Sequence, residues 1–471
     1  MTSMRRLVAL AVLPVLFAVA CGGGGGSDSK DEAGGGGTSG GDCPVSALDK
    51  VTKPVEITFW QSGLSQSLGD AIKTMVDDYN SSQQKVHVTM QFQGTYDEGS
   101  DKYLTALRGG GSNLPDLVLL EETRLQLMID SKSVVPVQDC IDADDYDTSD
   151  HLPAVLREFT VGDELWPMPF NVSNPVLYFD TNDFTKAGLD PADPPKTYDD
   201  VLAAAKKIKD SGAAKTGFAF EMSAWYFEQW FAKAGTPIVD HDNGRSGRAT
   251  KATLNNATGK AALGFLQSLF DQGLALNVGR NTSGSDALLA LGNGDAGMTL
   301  GTSAALSSIY DIQKAGSFTD VGVGVGPLYG PSDPDGGVQV GGGALWMVGK
   351  GKSDEAKAAT WDFMKYLNEP AQQALWSKLT GYVPIRKSAV ELPDVADNWK
   401  ARPTFKVAYD QLLSSHAQGG PSIGAYKEFR DAIRDGLESL VLKHASPEDA
   451  LALMEKEANE AIQTYNDSIG G

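Results

Sequence analysis

Histidine and cysteine are scarce, with five of the first and three of the second in 471 residues. No two histidines stand at metal-ligand spacing and no HExxH occurs, which excludes a zinc site of that helical kind. Positive charge is also short: 40 Lys and Arg face 61 Asp and Glu, a formal net charge of −21. Such a chain is repelled by nucleic acid and by anionic lipid. After the first 20 residues no apolar run is long enough to span a bilayer. The one G-x-S-x-G match, residues 37–41, lies in a glycine tract where no strand-turn-helix elbow forms, and GKGKS at 349–353 lacks the leading glycine of a phosphate-binding loop. Nothing marks out a pair of carboxylates for glycoside hydrolysis. The acidic stretch DCIDADDYDTSD (139–150) lacks EF-hand spacing and is expected to be a solvated loop. The chain reads as a binder rather than a catalyst, and no cofactor or metal is implied.

What is present begins with a leader. Residues 1–20 have a basic start (Arg5, Arg6), an apolar stretch from Leu7 to Phe17 and small residues before Cys21, the pattern of a signal peptide. Residues 22–42 are mostly glycine with small polar side chains, and with Cys21 they open a flexible segment, 21–53. A tether of ~20 such residues reaches ~25 Å. The run Ala18-Val19-Ala20-Cys21 resembles a bacterial lipoprotein box, which implies lipidation of Cys21 and attachment to the outer face of the cell membrane; ordinary signal cleavage nearby is the alternative. Cys43 and Cys140 form an even pair in an exported chain, so a disulfide is expected. The remaining body of ~430 residues exceeds one ordinary core and predicts two lobes.

From Val55 the order is strand, helix, strand. VEITFW is β-rich; Leu68, Ile72, Met75, Val76 and Tyr79 recur at helical spacing; Val86, Val88, Met90 and Phe92 alternate; DLVLL (116–120) is a short buried strand. A second unit follows. VLYFD (176–180) is a strand, Thr197 with Asp200 caps a helix ending at Gly212, and GFAF, a helix around 261–272, AGMTLG and VGVGVG continue it. A Gly-rich passage (335–348) precedes a helix capped by Ser353, and residues 425–468 are helical and amphipathic. This order predicts an α/β fold with helices on largely parallel sheets.

The stretch WPMPFNVSNPVLYFDTNDFTKAGLDPADPPKTYDDV (166–201) closely resembles a signature of the family 1 extracellular solute-binding proteins of ABC importers. PDLVLLEE, NGDAGMTLGTS, GGGALWMVGKG and TGYVPIRKSA follow the family's order, and PFNVSNPVLYF, GGGALW and TGYVPI are most similar to its glycerol-3-phosphate-binding branch. The resemblance implies a two-lobe, type II-like periplasmic-binding fold. Lobe 1 would comprise 54–170 and 343–389, and lobe 2 would comprise 171–342 and 390–471. Hinges are expected near Phe170–Pro175 and Val338–Gly343, with a third crossing after Ala389. The implied function is capture of a small polar solute, glycerol 3-phosphate or a glycerophosphodiester, for delivery to permease subunits by a monomeric receptor. A sugar or oligosaccharide is the alternative ligand; an anchored hydrolase and a sensory receptor are the alternative classes.

Carried over by the same resemblance, the site falls on Tyr96, Glu122, Ser173, Thr302, Gly342, Tyr382 and Arg430. Glu122, whose register against Glu121 is open, can accept hydrogen bonds from a polyol or be a surface carboxylate. Ser173 can face an anionic oxygen or satisfy its own turn. Thr302 stands where the family has serine. Gly342 leaves room for a ligand oxygen or is a turn glycine. Tyr96 and Tyr382 can donate to phosphate or pack. Arg430 is either a guanidinium fork for phosphate or half of a surface salt bridge with acidic neighbours on its own helix, a face it shares with Arg434. Met222 replaces a cleft tryptophan of the branch, which softens and enlarges the pocket toward a bulkier ligand. Trp225 matches a second family tryptophan and either stacks on the ligand or belongs to the core; Trp60 is a further candidate for the cleft wall.

Overall fold

A computed structural model describes residues 43–280, 285–318, 320–331 and 336–470. The leader, Cys21 and most of the glycine tether lie outside the described residues. Thirteen strands are present among those described: β1 (Val55–Gln61), β2 (Val86–Phe92), β3 (Leu117–Glu121), β4 (Val134–Val135), β5 (Thr160–Val161), β6 (Glu164–Leu165), β7 (Met168–Ser173), β8 (Pro175–Asp180), β9 (Phe218–Phe220), β10 (Ala275–Asn277), β11 (Met298–Thr302), β12 (Val323–Pro327) and β13 (Gly341–Val348). The first sheet runs β2-β1-β3-β13-β4 with β7 also on β13; the second runs β10-β9-β11-β8-β12. These two sheets, each with its own helices, are the two α/β lobes.

The expectation of largely parallel sheets is corrected. β1 is parallel to β2 and β3, and β9 to β10 and β11, but β13 runs antiparallel to β3, β4 and β7, and β8 runs antiparallel to β11 and β12. The cause is the chain path. β13 enters the first sheet on return from the second lobe, and β8 leaves the first lobe on a single residue, Asn174, between β7 and itself. Neither connection is a βαβ crossover, so the parallel rule does not apply.

Local chemistry accounts for the main helices. Ser67–Ser82 buries Ala71, Ile72, Met75, Val76 and Tyr79 on one face, and Tyr79 meets Phe363 of the helix Asp354–Leu367 with ring centroids 4.9 Å apart. Thr197 and Asp200 form the reciprocal capping box at the start of Tyr198–Asp210, and Ser353 caps Asp354–Leu367 through the Ala356 N–H. In the second lobe Tyr198 stacks on Phe265 at 4.6 Å beside the buried Trp230. The C-terminal region is two helices, Tyr426–Lys443 and Pro447–Ser468, broken where His444 takes the left-handed conformation.

Cys43 and Cys140 form a disulfide. The acidic stretch is not a plain solvated loop. Val137–Ala143 is helical, Asp144 accepts hydrogen bonds from Trp361 and Lys365 (2.9 and 2.6 Å), and Asp150 holds Arg386 (2.8 Å). Phe92 also departs from the alternation that pointed it inward: it is 54% exposed, because β2 is the sheet edge and its last residue emerges at the mouth of the cleft between the lobes.

Candidate functional site

The cleft forms where the chain changes sheet. Ser173, the last residue of β7, pairs with Gly341, the first of β13, and its hydroxyl donates to the Gly341 carbonyl at 3.3 Å. Next in line, Gly342 has φ +114, and a Cβ there would sit 2.0 Å from the Asn171 carbonyl oxygen, so only glycine fits. Gly341 lies under the Trp225 ring, with 2.7 Å between an imagined Cβ and the indole. These strand ends border a cavity of about 620 Å³.

The first lobe contributes three carried-over side chains. Tyr96 opens the helix Tyr96–Arg108, whose start is fixed by the Thr95–Glu98 capping box. Its phenol oxygen accepts the Asn171 amide at 2.8 Å. Glu122 follows β3 in a short 3₁₀ turn and accepts the Gly342 N–H at 2.9 Å. Burial, then the adjacent Glu121, push the Glu122 carboxyl well above the usual carboxylate range, against an opposing pull from Arg430. Tyr382 is placed by Gly381, which ends the helix Pro370–Thr380 in the left-handed conformation, and its ring stacks on Trp376 at 5.7 Å.

The second lobe supplies the rest. Thr302 ends β11, and its hydroxyl accepts the Ala304 N–H at 3.3 Å. Met222 and Trp225 stand on either side of the turn into the helix Ala224–Lys233, Met222 buried and Trp225 half-buried. Arg430 projects from Tyr426–Lys443, over the Tyr426 ring at 4.8 Å. Its partner is not on its own helix: Nε donates to Glu228 Oε1 at 2.9 Å and Nη2 to Glu228 Oε2 at 2.8 Å. Burial is the largest influence and works against this charge, but Glu228, Tyr426 and Glu121 together outweigh it and hold the guanidinium well above its ordinary pKa. The surface salt-bridge reading of Arg430 is therefore corrected, since its partner is buried and lies on another helix.

The seven carried-over residues, together with Met222 and Trp225, all line this cavity. Trp60 does not. It packs beside Tyr103 and Leu120, and its indole N–H donates to Gln91 at 3.0 Å. The question of register at Glu121 and Glu122 dissolves, as both reach the lining; Glu121 accepts the Thr123 hydroxyl and Glu122 turns to the backbone. Sequence reasoning missed Arg124, Glu221, Arg280 and Tyr426 on the lining. Tyr426 carries a signal that was there to read, because it stands four residues before Arg430 and one turn away on the same face. The others follow strand ends whose direction no local pattern gives.

Every cation on the lining has a carboxylate partner. Arg124 pairs with Asp97, Arg280 with Asp435 and Glu438, Arg434 and Lys427 with Asp431 (3.1 and 3.8 Å), and Arg430 with Glu228. Among the described residues no group of His, Cys, Asp or Glu is arranged to hold a metal ion, and no helix is long and apolar enough to cross a membrane. The cleft thus offers hydroxyls, amides, aromatic faces and balanced charge, which suits capture of a polar organic molecule by hydrogen bonds and stacking.

Comparison with known proteins agrees with this geometry. Residues 74–404 match the bacterial extracellular solute-binding protein family. The sn-glycerol-3-phosphate-binding periplasmic protein UgpB of Pectobacterium atrosepticum is 28% identical, over 88% of this chain and 92% of its own. Among solved structures, UgpB of Mycobacterium tuberculosis in complex with glycerophosphocholine superposes with a TM-score of 0.72 at 22% identity, over 88% of this chain and 99% of that one. The cyclic alpha-maltosyl-1,6-maltose binding protein of Arthrobacter globiformis does so with a TM-score of 0.73 at 24% identity, over 87% and 100%. At those identities the two structures speak for the fold alone, the two-lobe fold of solute-binding proteins. The chain belongs to the bacterial extracellular solute-binding proteins, the substrate-binding components of ABC importers.

Proposed function

We propose that this chain is a lipid-anchored, monomeric receptor that binds a glycerol phosphate, and a glycerophosphodiester in preference to glycerol 3-phosphate, in the cleft and presents it to permease subunits. The observation that carries this reading is the convergence of Tyr96, Glu122, Ser173, Thr302, Tyr382 and Arg430 on one cavity with Gly342 between them. These are the positions the glycerol-phosphate pattern singles out, contributed by elements up to the whole length of the fold apart. The diester is favoured on charge. With each lining cation already paired, the cleft suits a monoanion better than a dianionic monoester. Met222, where the branch has tryptophan, leaves room for the second alcohol.

In this reading the lobes are 54–170 with 343–389 and 171–342 with 390–471, and they swing at Phe170–Pro175 and Val338–Gly343. Because the solute touches both lobes only when they are together, binding shifts the protein toward the closed state. Cys21 carries the lipid, and the glycine tract gives the body its reach from the membrane.

A sugar is the second reading, and the paired cations and the aromatic lining (Tyr96, Trp225, Tyr382, Tyr426) are what favour it. A thermal-shift screen against glycerol 3-phosphate, glycerophosphodiesters and maltodextrins separates the two. Stabilisation by the diesters and not by sugars supports the proposal. Stabilisation by sugars alone overturns it.

A further inference from the structure

Asn171 is wholly buried and does not border the cleft, yet two of the cleft's phenols are set by its neighbourhood. It stands on β7 at a bulge: Pro169 pairs with Ala344 and Asn171 with Gly343, which leaves Phe170 as an extra residue between them. A bulge re-aims the side chains beside it. Here Phe170 packs on Trp376 at 5.0 Å, the same ring on which Tyr382 stacks, while the Asn171 amide reaches Tyr96. Opposite lies Gly343, where an imagined Cβ would be 2.5 Å from Asn171 Oδ1 and 3.1 Å from the Tyr96 phenol oxygen. A larger residue there would push the amide and the phenol out of place.

The hydrogen bonding of this amide is one-sided. Nδ2 donates to the Tyr96 oxygen at 2.8 Å, whereas the buried Oδ1 has no partner among the described residues. An unpaired buried acceptor costs stability and calls for a reason. The phenol supplies one. Its proton lies in the ring plane on one side of the oxygen or the other, and with the amide N–H on one side it takes the other. Among the described residues the Tyr96 oxygen makes no further hydrogen bond, and its ring borders the cleft, so the proton is left for a solute. Burial, then Tyr382, raise the Tyr96 phenol well above its ordinary value; burial raises Tyr382 too, with the Asn171 amide pulling the other way. Both phenols therefore keep their protons.

We propose that Asn171 is a positioning residue, which holds Tyr96 as a donor-only group and so biases the cleft toward an anionic oxygen over a hydroxyl. A sugar hydroxyl both donates and accepts, and a phenol can meet it in either role. A phosphoryl oxygen only accepts and needs the phenol proton aimed at it. Releasing the phenol thus costs the anion more than the sugar. The inference rests on the glycerol-phosphate reading of the cleft and adds to it the residue that fixes which way one of its donors points.

The test is a double-substitution cycle on the purified chain: the natural protein, Asn171→Leu, Tyr96→Phe and the two combined, each titrated calorimetrically with glycerophosphoglycerol, with maltose as the second probe of the natural protein. Leucine has nearly the shape of asparagine and removes the hydrogen bond and the orphaned acceptor together, so Asn171→Leu should melt close to the natural temperature. It should weaken the diester about tenfold, and by a factor of about one once Tyr96 is Phe. Should Asn171→Leu not fold, Asn171→Ser, too short to reach the phenol, takes its place in the cycle. Equal losses in both backgrounds mark a role in packing alone; that result, or natural affinity in the Asn171 variant, overturns the assignment and leaves the diester reading standing. A natural protein that does not bind the diester, whether or not it binds maltose, overturns that reading and the assignment with it.

Discussion

Arg430 and Glu228 meet edge to edge beneath the cleft, with Nε and Nη2 of the guanidinium on the two carboxylate oxygens at 2.9 and 2.8 Å. Glu228 is 1% exposed and lies on Ala224–Lys233, whereas Arg430 belongs to Tyr426–Lys443. The contact therefore joins two helices of the second lobe and lowers the charge that Arg430 offers to a solute.

Glu228→Gln tests both consequences. Removing one partner of a buried pair is costly, and Arg430 would keep only the longer contact to Glu122 at 3.8 Å, so a loss of ~3 kcal/mol is expected. Chemical denaturation should register that loss. The freed guanidinium should also raise affinity for glycerol 3-phosphate relative to a diester, read by competition titration; an unchanged preference would separate Glu228 from ligand selection.

Gly342→Ala should be severe for a local reason. With φ at +114 and the Asn171 carbonyl oxygen 2.0 Å from the new Cβ, the backbone must shift and the Gly342 N–H must leave Glu122. A loss of at least ~2 kcal/mol in unfolding free energy is expected, together with loss of solute binding. A stable variant with natural affinity would show that this crossing is not rigid.

Much of this was legible beforehand, and the limits are instructive. Helix faces such as Ile72, Met75, Val76 and Tyr79 follow from periodicity, and the Thr197 and Ser353 caps from residue type at a fixed offset. The nine cleft positions came from family likeness, not from spacing. Antiparallel β13 was not legible because strand direction is set by which lobe the chain returns from. Trp60 was misplaced because a strand residue's face depends on which side of the sheet the helices cover. Glu221 escaped notice because a single carboxylate after a strand looks like surface until its burial is known.

His151 should govern acid sensitivity. It is 1% exposed, between the Asn368 side chain and the Thr148 carbonyl (both 3.3 Å), and burial, then Arg386, push its pKa down to about 4. The unfolded chain protonates near 6.5, so the native state binds fewer protons between those values, and stability is lost as pH falls from about 6.5 toward 4, by up to ~3 kcal/mol. Carboxyls raised by burial, Glu221 among them, slope the other way, so the difference between the natural protein and His151→Gln isolates the effect. Parallel pH profiles would contradict it.

The Cys43–Cys140 disulfide fastens the start of the folded body to the helix Val137–Ala143 across a separation of 97 residues. Closing so long a loop in the unfolded chain is worth roughly 4.7 kcal/mol in the chain-entropy account. Cys43→Ser/Cys140→Ser should lower the denaturation midpoint accordingly without changing solute affinity, since neither residue borders the cleft.

The most direct measurement of the central claim is calorimetric titration of a glycerophosphodiester into the purified chain and into Ser173→Ala/Tyr382→Phe, a variant that removes two hydroxyls from the cleft while keeping its walls. The account predicts saturable one-to-one binding by the natural protein and an affinity about tenfold or more weaker in the variant at a similar melting temperature. No heat with the diester but saturation with maltose, or equal affinity in both proteins, would contradict it.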